Sequence, residues 1–314
     1  MTEKRANVSG SEDKIKYVCG VLFTVIYTAY LLVFGGAAKE AARAALSVCL
    51  EVIFTTVFPF SVAAEMLISS GICAFLGKTA AKPLARLFNL SYSGAGIFLL
   101  GLFGGYPTGA AGASRLYSKG EICRAEAEVL ISYTNNATPA FMITFIGGLL
   151  GSRRTGLICY AVNVCSAVLW AVLVRKKTYS KQKETTEVQT DFSFGRSVLS
   201  CGAAALNICF FIIIYSVVCS ALTLIPVPYV SHVLPPFIEL TSGAAVLAGA
   251  GAGGRLTASL LCAASSFSGL CVASQVTAVS KRAGLSVKYY VCGKIFQTFV
   301  SFIAFFIIYP HILT

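Results

Sequence analysis

Ser132-Tyr-Thr-Asn-Asn-Ala-Thr-Pro-Ala-Phe141, "SYTNNATPAF", runs directly into "MITFIGGLLG" at 142–151, a segment apolar enough to lie in a bilayer. Two adjacent amides, flanking hydroxyls and a proline therefore sit at a depth where water is scarce. Each polar group there needs a partner within the protein. Pro139 removes a backbone donor and frees a carbonyl near residue 135. Asn135 and Asn136 point about 100° apart on a helix, so both cannot serve one neighbour. A helix broken at this point would present amides, hydroxyls and free backbone groups to whatever passes.

The surroundings make the membrane reading firm. The chain has 314 residues, 56% hydrophobic and 12% charged, with mean hydropathy +0.78. That charge share is about half the soluble norm. Its net charge of +12 collects in the gaps between apolar runs, without a basic stripe interleaved with aromatics, so nucleic acid is not expected as a partner. None of the 12 cysteines forms a C-x-x-C. They read as small core residues, with no metal and no disulfide framework expected. His232 and His311 are the only histidines, and no H-E-x-x-H or G-x-S-x-G occurs, so an enzyme is not expected. "GAGAGG" at Gly249–Gly254 fits G-x-G-x-x-G but lacks a preceding strand and a following acid, which leaves close helix packing as its use.

Residues 1–16 read as an unstructured cytoplasmic tail and Tyr17–Gly36 as an uncleaved anchor. Ala45–Gly77 is too long for one straight crossing, and Pro59 should kink it. Lys78–Phe88 reads as an interfacial helix with Lys78, Lys82 and Arg86 on its wet face. In Gly94–Glu121, two short apolar arms flank Gly104-Gly105-Tyr106-Pro107-Thr108-Gly109, the pattern of a re-entrant hairpin. Glu126–Gly151 is the interrupted helix and Gly156–Val174 a plain span. Arg175–Arg196 is hydrophilic, rich in Lys and Arg, and expected in the cytoplasm.

The second half, 197–314, repeats the plan of 40–174. Ser197–Ile225 is a long span, with Asn207 near the place of Glu51; Pro235–Gly254 follows. Arg255–Gly284 carries two short arms around Ser265-Ser266-Phe267-Ser268-Gly269 and reads as a second hairpin, and Tyr289–Tyr309 closes the chain. Hairpins at matching places in two halves point to a transporter site. Counting crossings makes the halves inverted, the first hairpin opening to the cytoplasm and the second outwards. That count leaves Lys281, Arg282 and Lys288 outside, against the charge rule.

"LEVIFTTVFPF", "KPLARLF", "GLFGGYPTGAAGASRLYSKGEICRAEAEVLISYTNNATPAF" and, more weakly, "SFSGLCVASQVTAV" resemble the YlbJ-type sporulation integral membrane proteins of the wider nucleoside-recognition (Gate) group. The matching pieces lie within 45–310. The resemblance implies a carrier or channel-like protein of bacterial cell membranes with hairpins meeting near the midplane. It ties the family in spore formers to moving dipicolinate, a small aromatic dianion, towards the forespore; the Gate name points instead to nucleosides.

The expected fold is an all-α multi-pass membrane protein with two inverted repeats, each holding a re-entrant hairpin and a broken transmembrane helix. The expected solute site comprises Gly105, Tyr106, Pro107, Thr108, Thr134, Asn135, Asn136, Ser266, Ser268, Gly269 and Gln275. Helix N–H groups starting near Thr108 would face an anion. Glu51 and Glu239 are candidates for proton coupling, against a structural cap or ion pair. Arg255 and Lys294 are the cations available to balance a dianion, with snorkelling to an interface as the ordinary alternative. The expected partners are the bilayer, a small solute and a coupling ion; no cofactor is expected, and the oligomeric state stays open. A nucleoside carrier and a non-transporting structural or signalling protein of sporulation are the alternatives.

Overall fold

The computed structural model describes residues 2–175, 193–250 and 254–312, without the side chains of 2–13, 15 and 16. Most of the 175–196 loop and the centre of "GAGAGG" lie outside the described residues. Among the described residues all regular structure is helical. Five helices are long and apolar enough to cross a membrane: Gly35–Ser69, Arg153–Val174, Phe194–Thr223, Arg255–Arg282 and Lys288–Ile312.

The first helix runs unbroken over Thr2–Val33, so residues 2–16 are not the unstructured tail expected. Extending a formed helix adds a bond per residue without a new nucleus, and Glu3, Lys4, Arg5 and Ala6 are good helix formers. Tyr30, at its far end, is buried beside Ala38 and Val217, its hydroxyl 2.8 Å from Ser220 Oγ.

Gly35–Ser69 is a first lead span. Pro59 does not end it: the turns before the proline widen into a π-helix over Cys49–Val57, with Phe58 N bonding Ile53 O. The chain turns at Gly71, whose φ of 75° suits glycine, so Ile72–Lys78 is a separate short helix rather than the end of one long segment. Lys82–Phe88 exposes Lys82 and Arg86 and buries Ala85 and Phe88, as an interfacial helix should. It meets the next helix at 108°.

That next helix, Tyr92–Gly104, forms a hairpin with Thr108–Ser118. Neither arm, at roughly 20 Å or less, can cross a hydrocarbon core of about 30 Å. Ser91 caps the first arm by accepting from Gly94 N at 3.0 Å, and Glu126 Oε1 accepts from Ser91 N at 2.8 Å. Arg115 on the second arm pairs with Glu65 of the lead span. Helix Arg124–Thr134 then stops, residues 135–138 are non-helical, and the chain resumes helically through Phe141–Ile146 and Gly147–Leu149. Arg153–Val174 closes the half.

The second half departs from the expected assignment and has no counterpart of the short helices Ile72–Lys78 and Lys82–Phe88. Its lead span is Phe194–Thr223. Its hairpin is Tyr229–Val233 and Pro235–Ile238 against Leu240–Gly249, with a one-residue tip at Glu239. A Cβ on Gly243 would lie 2.2 Å from Pro235 C, which shows how tightly the arms fold together. Arg255–Arg282, expected as the hairpin, is instead a span that passes straight through and is broken only at Ser268, where φ is 79°. Lys288–Ile308 follows as the last long helix.

Basic residues gather at one end of this bundle. Lys78, Lys82, Arg86, Arg115, Lys119, Arg124, Arg175, Arg196, Lys281, Arg282 and Lys288 share an end, while Lys39, Arg43, Arg153, Arg154 and Arg255 lie at the other. Two contacts fix the first group together: Arg175 Nη1 donates to Leu87 O at 3.1 Å, and Ser286 N to Glu128 Oε1 at 3.0 Å. Because Arg255–Arg282 crosses, Lys281, Arg282 and Lys288 join the basic end and the conflict with the charge rule disappears.

Candidate functional site

Both tips and both breaks meet. A Cβ on Gly105, in the first tip with φ 71°, would lie 2.4 Å from Thr138 Cγ2 in the first break. A Cβ on Gly269, in the second break, would lie 3.1 Å from Ile238 O and 3.4 Å from Leu240 N in the second tip. Tyr106 of the first tip donates from its hydroxyl to Ser265 O at 2.7 Å, reaching the helix that carries the second break.

Between them opens a cavity of about 70 Å³. The first tip supplies Tyr106, the first break Ala137 and Thr138, the second tip Glu239, Leu240 and Thr241, and the turn after the second break Cys271, Val272 and Gln275. The lead spans wall it with Val52, Ile53, Val57, Ile208 and Ile212. Three of these lie in or at the end of the π-helical stretch, an irregularity that often marks functional sites. The wall is largely apolar, with two hydroxyls from threonine, one phenol, one amide and one carboxylate.

Of the expected residues, Tyr106, Glu239 and Gln275 line this cavity. Glu239 is the N-cap of Leu240–Gly249: Oε1 accepts from Thr241 N at 3.0 Å, and Oε2 from Ser242 N at 2.7 Å and Ser242 Oγ at 2.6 Å. Both carboxylate oxygens are thus engaged, and the cap outweighs a proton-coupling role. Gln275 Nε2 lies 3.5 Å from Cys271 Sγ. Glu51 is exposed on the outer face of the lead span, accepting from Ser47 Oγ at 3.0 Å, and is absent from the wall. The helix phase that turns Val52 and Ile53 inwards turns Glu51 out.

The amides that prompted the reading work within the protein. Asn135 Oδ1 accepts from Ala110 N at 3.0 Å, and its Nδ2 donates to Ile131 O at 2.8 Å. One side chain therefore caps the second hairpin arm's N-terminus and the broken helix's C-terminus together. Asn136 Nδ2 donates to Tyr133 O at 2.8 Å, and Thr134 Oγ1 to Leu130 O at 2.8 Å. All three are buried and none lines the cavity. Thr108 Oγ1 donates to Gly104 O, and Gly105 and Pro107 shape the tip. Ser266 donates to Asn163 Oδ1 at 2.5 Å and lies 2.6 Å from Ser301 Oγ, in a polar seam between the closing spans. Ser268, at the break before Gly269, is buried with its hydroxyl unpartnered.

Lys294, read from sequence as ready to snorkel, is 2% exposed at the centre of the bundle. Its Nζ donates to Asn135 O at 2.5 Å and lies 3.5 Å from Gln297 Oε1. It stands 5.6 Å from the ring centroid of Tyr106 and 6.0 Å from that of Tyr290. Gln297 Nε2 donates to Ser132 O at 2.9 Å. Tyr290, Lys294, Gln297 and Ser301 fall at i, i+4, i+7 and i+11, one helix face, and that spacing could have flagged them. Arg255 does behave as an interface residue, donating from Nε to Phe306 O and stacking 3.7 Å from the Phe306 ring centroid.

Compared with known proteins, 173 residues of the chain match the sporulation integral membrane protein YlbJ of Bacillus subtilis (strain 168) at 28% identity. The match covers 55% of this chain and 42% of that protein, so the chain spans less than half the length of the relative. No protein-family profile matches, and no solved structure does. With five membrane-crossing helices and an integral membrane relative, the chain is a multi-pass membrane protein of all-helical fold.

Proposed function

We propose that the protein carries a small polar or anionic solute across the membrane, by alternating access around the cavity at residues 106, 138, 239, 241 and 275. The observation that supports this is the convergence of two hairpin tips and two helix breaks on one cavity. Irregular backbone at membrane depth is tolerated where it lines a cavity, and secondary transporters build their sites this way. The match to a sporulation integral membrane protein favours a role in a bacterial membrane during sporulation.

Counting the interrupted Arg124–Leu149 segment together with the five long helices, each half contributes three crossings: lead span, broken helix and closing span. An odd number would turn the second half upside down relative to the first, and the carrier reading takes the repeats as inverted. The basic end is the cytoplasmic one by the positive-inside rule. The first hairpin then opens to the cytoplasm and the second outwards, and one repeat moving against the other would expose the cavity to each side in turn.

An anionic solute such as dipicolinate is supported by Lys294, the one buried Lys or Arg side chain among the described residues. A neutral nucleoside is the second reading, because Lys294 lies beyond Tyr106 rather than in the wall, where Glu239 is the ionisable carboxylate. Uptake of labelled dipicolinate and of a labelled nucleoside into proteoliposomes separates them. Uptake of dipicolinate, reduced at least tenfold by Tyr106→Ala in folded protein, is expected. Uptake of neither solute would overturn the assignment.

A further inference from the structure

We infer that Lys294 is a built-in cation, standing where a coupling metal ion would otherwise bind, so that the broken-helix site works without sodium. Helix Arg124–Thr134 ends inside the protein with the negative end of its dipole buried; side chains of Thr134, Asn135, Gln297 and Asn136 take the carbonyls of residues 130–133, and the cap carbonyl of Asn135 is left to Lys294. In secondary transporters, unwound carbonyls and half-helix C-termini of this kind hold the coupling cation. Here the ammonium of Lys294 takes Asn135 O at 2.5 Å, with Gln297 Oε1 at 3.5 Å and the Tyr106 and Tyr290 rings at 5.6 and 6.0 Å. Carbonyl oxygen, amide oxygen and π-faces are the surroundings of a cation site. No carboxylate pairs with Lys294 among the described residues, so the charge answers the helix end and not an acid.

The position also gives the charge a mechanical consequence. Lys294 and Gln297 belong to the closing span of the second half, while Asn135 and Ser132 belong to the broken helix of the first. The cation that satisfies the break thereby ties one half to the other. A free ion would leave and rebind during a cycle, whereas a tethered amine keeps the contact available at any sodium concentration.

The consequence for transport rests on the carrier reading above, but the test does not. Thermal unfolding of the detergent-solubilised full chain is measured in sodium chloride and in choline chloride of equal strength. Wild type is expected to melt at the same temperature in both. Lys294→Ala empties the cation position and is expected to gain about 3 °C in sodium over choline, and Lys294→Met, which refills the space with an apolar chain, to gain nothing. Sodium-dependent stabilisation of wild type that Lys294→Ala does not increase would overturn the inference. Should Lys294→Ala not fold, wild type decides: indifference to sodium supports the built-in cation, and stabilisation by sodium refutes it. Where proteoliposomes show uptake, wild-type rates are expected to be equal with and without a sodium gradient; absence of uptake would count against the carrier reading and leave the melting result standing.

Discussion

Replacing Asn135 with alanine strips two hydrogen bonds from a fully buried position. Ala110 N loses its acceptor and Ile131 O its donor, and neither site is open to water. Each buried group left unpaired is worth about 1–3 kcal/mol, so the loss should be about 2–6 kcal/mol. Asn136→Ala removes one donor, to Tyr133 O, and should cost about 1–2 kcal/mol. At about 2 °C per kcal/mol these figures translate to roughly 4–12 °C and 2–4 °C in apparent melting temperature. The assay is thermal unfolding of solubilised protein, followed by far-ultraviolet circular dichroism at one fixed scan rate. Asn135→Ala melting within 1 °C of wild type, or Asn136→Ala melting lower than Asn135→Ala, would refute the assignment of Asn135 as the clasp between hairpin and broken helix.

Other expectations follow from single contacts. Gly109→Ala should separate the hairpin from the break, because its Cβ would lie 2.4 Å from Thr134 O; expression and melting should fall more than for Gly148→Ala, where nothing lies within 4 Å. Glu239→Ala should unfasten the second tip by leaving Thr241 N and Ser242 N without acceptors, at about 1–3 kcal/mol, while Glu239→Gln should recover part of that stability; equal melting of the two variants would contradict the capping role. A cysteine at Gly284 should react with an impermeant maleimide added from the cytoplasmic side, and one at Gly151 from the outer side. The opposite pattern would reverse the orientation.

The parts of this fold that announce themselves in sequence are those where backbone chemistry is written in residue type. Pro139 after two amides marks the first break, and Gly105 with Pro107 marks the first tip. The second half hides its equivalents. Its true tip is a single extended residue, Glu239, following Pro235 and Pro236, whereas Ser265–Gly269 imitates a tip in composition but is a break in a crossing helix. Small polar residues serve either purpose, and only the packing of Leu240–Gly249 back on Pro235–Ile238 distinguishes them. The spacing from tip to break, about 30 residues in both halves, is the regularity that would have separated the two.

The candidate site was legible in location more than in detail. Polarity at membrane depth drew attention to the break at residues 135–138, but the amides satisfy helix ends, and the polar part of the cavity wall is made by Tyr106, Thr138, Glu239, Thr241 and Gln275. Lys294 reads as an available cation, but its burial is not legible in sequence: it lies six residues into its helix, about 9 Å from the start, where a lysine can ordinarily reach water. Its burial comes from three neighbouring helices, which no local pattern records. Glu51 misled for the complementary reason: an acid in an apolar run looks functional until the helix phase is known.

Thr138 gives the most direct test, since it belongs to the first break, touches the first tip and lines the cavity. Thr138→Cys would be treated in right-side-out and inside-out membrane vesicles with a small impermeant thiol reagent, and modification at that residue quantified by mass spectrometry. An alternating carrier predicts modification from both sides, slowed by the solute it transports. Absence of modification from either side in folded protein, or modification from both sides that no transported solute slows, would contradict it.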